Sequence, residues 1–168
     1  MGPMKDDSID PPIGRVASVV QAVHDGEPLH ASIGIPSAAI DALEQQAYRL
    51  YRAGRLEETE TMSRGIAALD ATRPYPRLLL GDVSAQRQDW ETALADFETA
   101  LTLDASLGIA AFKCGEVLAH LERFEEAADM LECALESSNS APPGWVARAE
   151  GLLERVESRQ TQQQNARE

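Results

Sequence analysis

A chain of 168 residues with a formal charge of −13 and a pI near 4.6 is a poor match for a phosphate-backbone partner, because nucleic-acid binders need clustered Lys and Arg. An apolar share of 43% supports one folded domain of this length. Two cysteines without CxxC spacing and three scattered histidines argue against a metal or redox site, and no apolar run is long enough to span a bilayer.

Residues 1–14 carry Asp6, Asp7, Asp10, Pro11 and Pro12 and read as a disordered N-terminus, in which Met1-Gly2-Pro3-Met4 looks like a tag remnant. The charged-then-apolar layout of a secretory signal is missing there. Residues 15–36 form a unit of their own. Val16, Val19, Val20 and Val23 recur at helical spacing, Asp25-Gly26 ends that helix, and Pro28 blocks its continuation. The short apolar segment Leu29 to Ile35 follows, and Ser37 opens the next helix.

From there to residue 157 the chain repeats itself at a step of 34 residues: Ala47, Gly81 and Gly115; Leu56, Trp90 and Phe124; Thr59, Ala93 and Ala127; Ile66, Ala100 and Ala134. Three helix–turn–helix units are expected over about Ser37–Ala71, Pro74–Ala105 and Ser106–Asn139, turning at Ala53 to Arg55, Gln86 to Asp89 and Leu121 to Arg123. In each, the small residue of the first helix lets the second approach closely, and the bulky residue opens the second helix. Pro142-Pro143-Gly144 breaks the pattern. Trp145, Val146, Ala149, Leu152, Leu153 and Val156 then form an amphipathic capping helix, and residues 158–168 read as a disordered polar tail. The period and its small–small–aromatic pattern mark a tetratricopeptide-repeat array: an all-α superhelix of three repeats with an N-terminal helix and a C-terminal cap.

Such arrays bind other chains on a concave face lined by the second, fifth, ninth, twelfth and thirteenth positions of each first helix. Those positions hold Asp41, Glu44, Tyr48, Tyr51 and Arg52; Tyr75, Leu78, Asp82, Ala85 and Gln86; and Ile109, Phe112, Glu116, Ala119 and His120. Glu44, Tyr48, Tyr51, Tyr75, Leu78, Asp82, Ile109, Phe112 and Glu116 are the groove candidates. They suit an extended, proline-containing peptide with apolar anchors and a basic residue alongside. Repeats that grip the acidic C-terminus of heat-shock proteins carry Lys and Asn at the fifth and ninth positions. Here the carboxylates of Glu44, Asp82 and Glu116 oppose an acidic ligand. No nucleophile–base set or phosphate loop accompanies these carboxylates, so neither an enzyme nor a cofactor is expected. His24, His30 and His120 are expected at the surface or in turns, and Cys114 as a small core hydrophobe.

An N-terminal helix, a Gly-containing break, three repeats and a cap resemble the class II type III secretion chaperones over roughly Val16 to Arg155. The likeness is densest from Gly26 to Glu58 and includes Tyr51-Arg52-Ala53-Gly54-Arg55, the Tyr-x-x-Gly-[Lys/Arg] ending of that family's first helix. Phe112, Gly115 and Glu116 look similar in the third repeat, whereas Glu44 stands where the family often has an aromatic residue and Thr59 where it has alanine. The resemblance implies a cytoplasmic, non-enzymatic chaperone whose groove holds a segment of a secreted, hydrophobic translocator protein. It also implies a homodimer formed through the N-terminal helix, with Val16, Val19, Val20 and Val23 as the seam. The same stripe could instead fold back on the first repeat. The rival reading is a scaffold that joins parts of a larger complex; it predicts a folded partner, whereas a chaperone predicts an unfolded one.

Overall fold

The computed structural model describes residues 12–137 and 144–165, with side chains from Val16 onward. The expectations for residues 1–11, and for Pro142-Pro143, lie outside the described residues. Within them the chain is helical without strands: α1 (Pro12–His24), α2 (Leu29–Ser32), α3 (Ser37–Arg52), α4 (Leu56–Leu69), α5 (Pro74–Gln86), α6 (Trp90–Leu103), α7 (Gly108–His120), α8 (Phe124–Glu136) and α9 (Trp145–Asn165). Helices α3 to α9 each pack on the next in chain order, the nearest-neighbour architecture of a repeat array, and α1 packs mainly on α2.

The repeat is visible in the turns. Gly54, Gln88 and Glu122 stand 34 apart and all adopt the left-handed conformation, with φ of 73°, 62° and 58°. After each, an amide reaches back to close the preceding helix: Arg55 to the Leu50 carbonyl, Asp89 to Ser84, and Arg123 to Leu118, all at 3.0 Å. Leu56, Trp90 and Phe124 then open α4, α6 and α8. Between repeats a second device recurs. Asp70 accepts hydrogen bonds from the Thr72 amide (3.1 Å) and hydroxyl (2.6 Å), and Asp104 accepts from the Ser106 amide (3.0 Å) and hydroxyl (2.7 Å).

Close approach in the second and third pairs depends on a missing side chain. A Cβ on Gly115 would lie 2.7 Å from Leu131 Cγ, so α7 and α8 can meet only with glycine there. Thr59, which replaces the smaller Ala93 and Ala127 of the later repeats, is fully buried, and its hydroxyl donates to the Arg55 carbonyl at 2.8 Å. The core is built around Phe97, Phe112, Val117 and Leu131 in the later repeats, with a smaller cluster of Ile40, Ala47, Ile66 and Leu79 in the first.

Three boundaries differ from expectation. Helix α1 begins at Pro12 rather than Arg15, and the segment after it contains a helical turn, α2. Helix α9 runs through the expected tail as far as Asn165, because Glu, Arg and Gln are good helix formers and neither proline nor glycine follows Gly151.

Candidate peptide-binding groove

The first helices of the repeats, α3, α5 and α7, with α9 after them, carry the residues expected in the groove. A ladder of ion pairs crosses from each of these helices to the next. Arg73, at the N-cap of α5, reaches Asp41 (2.6 Å) and Glu44 (3.2 Å) on α3. Lys113 on α7 reaches Asp82 on α5 at 3.2 Å and Glu116 on its own helix at 3.3 Å. Arg148 on α9 reaches Glu116 at 3.0 Å and lies over the Phe112 ring, 5.3 Å from its centre.

Each of these carboxylates is therefore already engaged by a cation, Glu44 through Oε2 alone, since its Oε1 is buried without a partner among the described residues. Burial pushes the Glu44 carboxyl above its ordinary range, with Arg73 opposing it. Asp82 is pushed up by burial against the pull of Lys113. Burial lowers the Lys113 ammonium, but Asp82 and Glu116 more than offset this and hold it above the usual lysine value. Each rung puts a cation of one repeat, or of the cap, on a carboxylate of the repeat before it.

The apolar candidates divide into two groups. Tyr48 and Tyr75 are 51% and 54% exposed, large rings held in solvent, with the Arg52 guanidinium 6.0 Å from the centre of the Tyr48 ring. Tyr51 and Ile109 are half-buried, Tyr51 against the Ile40–Ile66 cluster and Ile109 against the main core. Leu78 and Phe112 are buried, Phe112 with 1% exposure beneath Arg148 and edge-on to Trp145, with ring centres 5.4 Å apart. Beside Phe112 a cavity of 720 Å³ opens between α7, the start of α8 and α9.

On α1 the four valines part company. Val16, Val20 and Val23 are exposed, while Val19 is half-buried. Val16, Val19 and Val20 join Ile33 around a shallow apolar cavity of 540 Å³. The valine face is thus not folded back onto the first repeat.

One histidine is not where expected, while His120 is exposed at the end of α7 as the sequence predicts. His30 is buried: its Nδ1 lies 2.8 Å from the Ile35 carbonyl and its Nε2 3.3 Å from Asp70 Oδ2, which ties α2 to the junction of α4 and α5. His120 stacks on Trp90, with ring centres 4.3 Å apart and planes inclined by 7°. Cys114 is buried, which pushes its thiol up to about 12.

No family model matches the chain. Chaperone protein SicA of Salmonella typhimurium is 27% identical to it over 155 residues, 92% of this chain and 93% of SicA. Among solved structures, a type III secretion system complex from Aeromonas hydrophila superposes with a TM-score of 0.76 at 20% identity, covering 86% of this chain and 98% of that one. The Yersinia enterocolitica type III secretion chaperone SycD, in complex with a peptide of the translocator YopD, gives a TM-score of 0.68 at 20% identity, covering 75% and 98%. This chain is a tetratricopeptide-repeat protein that resembles the class II type III secretion chaperones.

The ladder of ion pairs lies outside the repeat pattern of this array. Arg73, Lys113 and Arg148 do not share one position of the 34-residue repeat, so the periodicity that exposed the carboxylates gave no hint of their partners. Asp70 and Asp104 do share one, and that match was the available signal for the inter-repeat turn.

Proposed function

We propose that the chain is a non-enzymatic cytoplasmic chaperone that holds an extended segment of a secreted, hydrophobic translocator in its groove before type III export. The observation that carries this reading is the pair of exposed rings, Tyr48 and Tyr75, on consecutive first helices, beside polar groups already paired with one another. A surface of that kind offers apolar anchor sites and asks little charge complementarity of its ligand. The YopD peptide on SycD, an array of the same fold, supports the same use. A net charge of −13 keeps such a carrier soluble while it masks a client that would otherwise aggregate.

The exposed valines of α1, with Ile33 beside them, support self-association through this helix, since an apolar face of that size is costly to leave in water.

The test is affinity capture from the source cytosol followed by mass spectrometry. Recovery of one secreted, membrane-active protein in an unfolded, protease-sensitive form is expected. Recovery of folded, soluble components in fixed stoichiometry would replace the chaperone with a scaffold.

A further inference from the structure

The 720 Å³ cavity at the last repeat differs in character from the tyrosine-bearing end of the array. Its apolar lining comes from Phe112, Phe124, Leu152 and Val156. Over it stand Arg148, Arg155 and Arg159, spaced i, i+7 and i+11 on α9 and so on one face of that helix. Two carboxylates also line it. Glu116 is already engaged by Lys113 and Arg148, which leaves Glu122. Arg155 and Arg159 have no carboxylate within ion-pairing distance among the described residues, and Arg155 turns its Nε to the Gly151 carbonyl at 3.2 Å instead.

In a chain with 28 acidic and 15 basic residues, two arginines left unpaired beside an apolar cavity form a site of sign opposite to the rest of the molecule. Guanidinium groups over an apolar floor suit a carboxylate, because the fork geometry matches it. The volume accommodates a few side chains. The geometry points to a second subsite at the α9 end of the groove, one that takes an apolar side chain of an extended peptide followed by acidic residues. This gives the groove a direction: aromatic anchoring at α3 and α5, carboxylate capture at α9. The expected repulsion of an acidic ligand is weakened at this end, where Glu116 is neutralised by its partners and Glu122 shares the cavity with two unpaired arginines. The inference rests on the chaperone reading for the origin of the occupant, the client chain, but not for the chemistry of the site.

The probe is a fluorescein-labelled peptide, Gly-Ser-Phe-Leu-Asp-Glu-Asp-Gly-Ser, compared with its counterpart in which Asn and Gln replace the acids. Binding is read by fluorescence anisotropy at low salt. The acidic probe is expected to bind at least tenfold more tightly than its neutral counterpart, and added salt should erase the difference. R155Q/R159Q, at two exposed positions, should remove the preference with an unchanged circular dichroism spectrum, and R155E/R159E should invert it. Equal binding of the two probes to the unsubstituted protein, or a preference that survives R155E/R159E, overturns the subsite. Failure of the chaperone reading looks different: the acidic probe is still preferred, while capture from cytosol yields no translocator.

Discussion

A Cβ built on Gly81 would sit 2.5 Å from Phe97 Cε1 and under 3 Å from two further atoms of the same ring. Phe97 is fully buried, so the ring cannot swing aside. Gly81→Ala is therefore expected to cost about 1–3 kcal/mol by overpacking, and Gly81→Leu to unfold the second repeat. Thermal denaturation followed by circular dichroism measures both. A melting temperature for Gly81→Leu equal to that of the parent would refute the pairing of α5 with α6. The first repeat solves the same problem differently, with Ala47 in the glycine position and Ser63 in that of Phe97. The Ser63 hydroxyl is buried without a partner among the described residues, so Ser63→Ala should be neutral or slightly stabilising.

The left-handed turn residues give a prediction of opposite sign. Gly54 adopts φ of 73° at no steric cost, whereas Gln88 and Glu122 hold nearly the same conformation with a Cβ in place. Both side chains are exposed. Gln88→Gly and Glu122→Gly are each expected to raise stability by roughly 0.5–1 kcal/mol, the strain relieved exceeding the added entropy of the unfolded chain. Chemical denaturation midpoints would show it, and a loss of stability in both would mean the turns are held by side-chain contacts instead.

Much of this architecture could be read from the chain, and the reason is physical. Small residues at Gly81 and Gly115 and bulky ones at Trp90 and Phe124 answer to packing between sequence neighbours, which recurs every 34 residues. The tyrosines at 48 and 75 followed from the same register. What could not be read depends on contacts between repeats at unequal spacing. Arg73 meets Glu44 across 29 residues, Lys113 meets Asp82 across 31, and Arg148 meets Glu116 across 32. A carboxylate in the sequence does not show whether a cation covers it. His30 was legible only as an isolated histidine, because its partner Asp70 lies 40 residues further on, at the end of the first repeat.

Asp70 is the centre of that last network and sets a pH dependence. Burial alone would raise its carboxyl, but hydrogen bonds from Thr72 and Arg73 prevail and hold it below the usual aspartate range. A carboxylate whose folded value is depressed stabilises the fold above its unfolded value, and that contribution is lost as the pH falls through the folded one. Glu44 works in the other direction. Burial, its largest cause, raises its carboxyl above the usual glutamate range, so acidification relieves a penalty before Asp70 begins to lose its contribution. Asp70→Asn is expected to cost about 1.5–3 kcal/mol at neutral pH and to flatten the acid limb of the stability curve, and Glu44→Gln to remove the gain that precedes it. Urea denaturation across a pH series distinguishes them; an acid limb unchanged in Asp70→Asn would assign it to other carboxylates.

The valine face of α1 predicts an oligomeric state. Val16 and Val20 are 62% and 63% exposed, so a charge introduced there disturbs no packing within one chain. V16D/V20D should leave helix content and melting temperature as they are at low concentration while converting a dimer into an 18.2 kDa monomer. Size-exclusion chromatography with light scattering reads the mass directly. A parent protein that is already monomeric at high concentration would leave the valine face for a partner other than a second copy.

Tyr48 and Tyr75 provide the cleanest test of the groove, because neither ring is part of the core. Tyr48 is engaged only through its hydroxyl, which accepts from Arg52 Nη1 at 3.3 Å, and through the guanidinium 6.0 Å from its ring centre. Tyr48→Ala and Tyr75→Ala should each weaken client binding about tenfold, the equivalent of about 1.4 kcal/mol of apolar anchoring, with melting temperature unchanged. Tyr51→Ala is expected to lose stability as well as affinity, since Tyr51 packs on the cluster around Ile40 and Ile66. Titration calorimetry with the captured client segment separates these effects. If Tyr51→Ala alone weakens binding while the two exposed tyrosines can be removed without consequence, the client is held along the half-buried side of α3, and its anchors lie one helical turn from Tyr48.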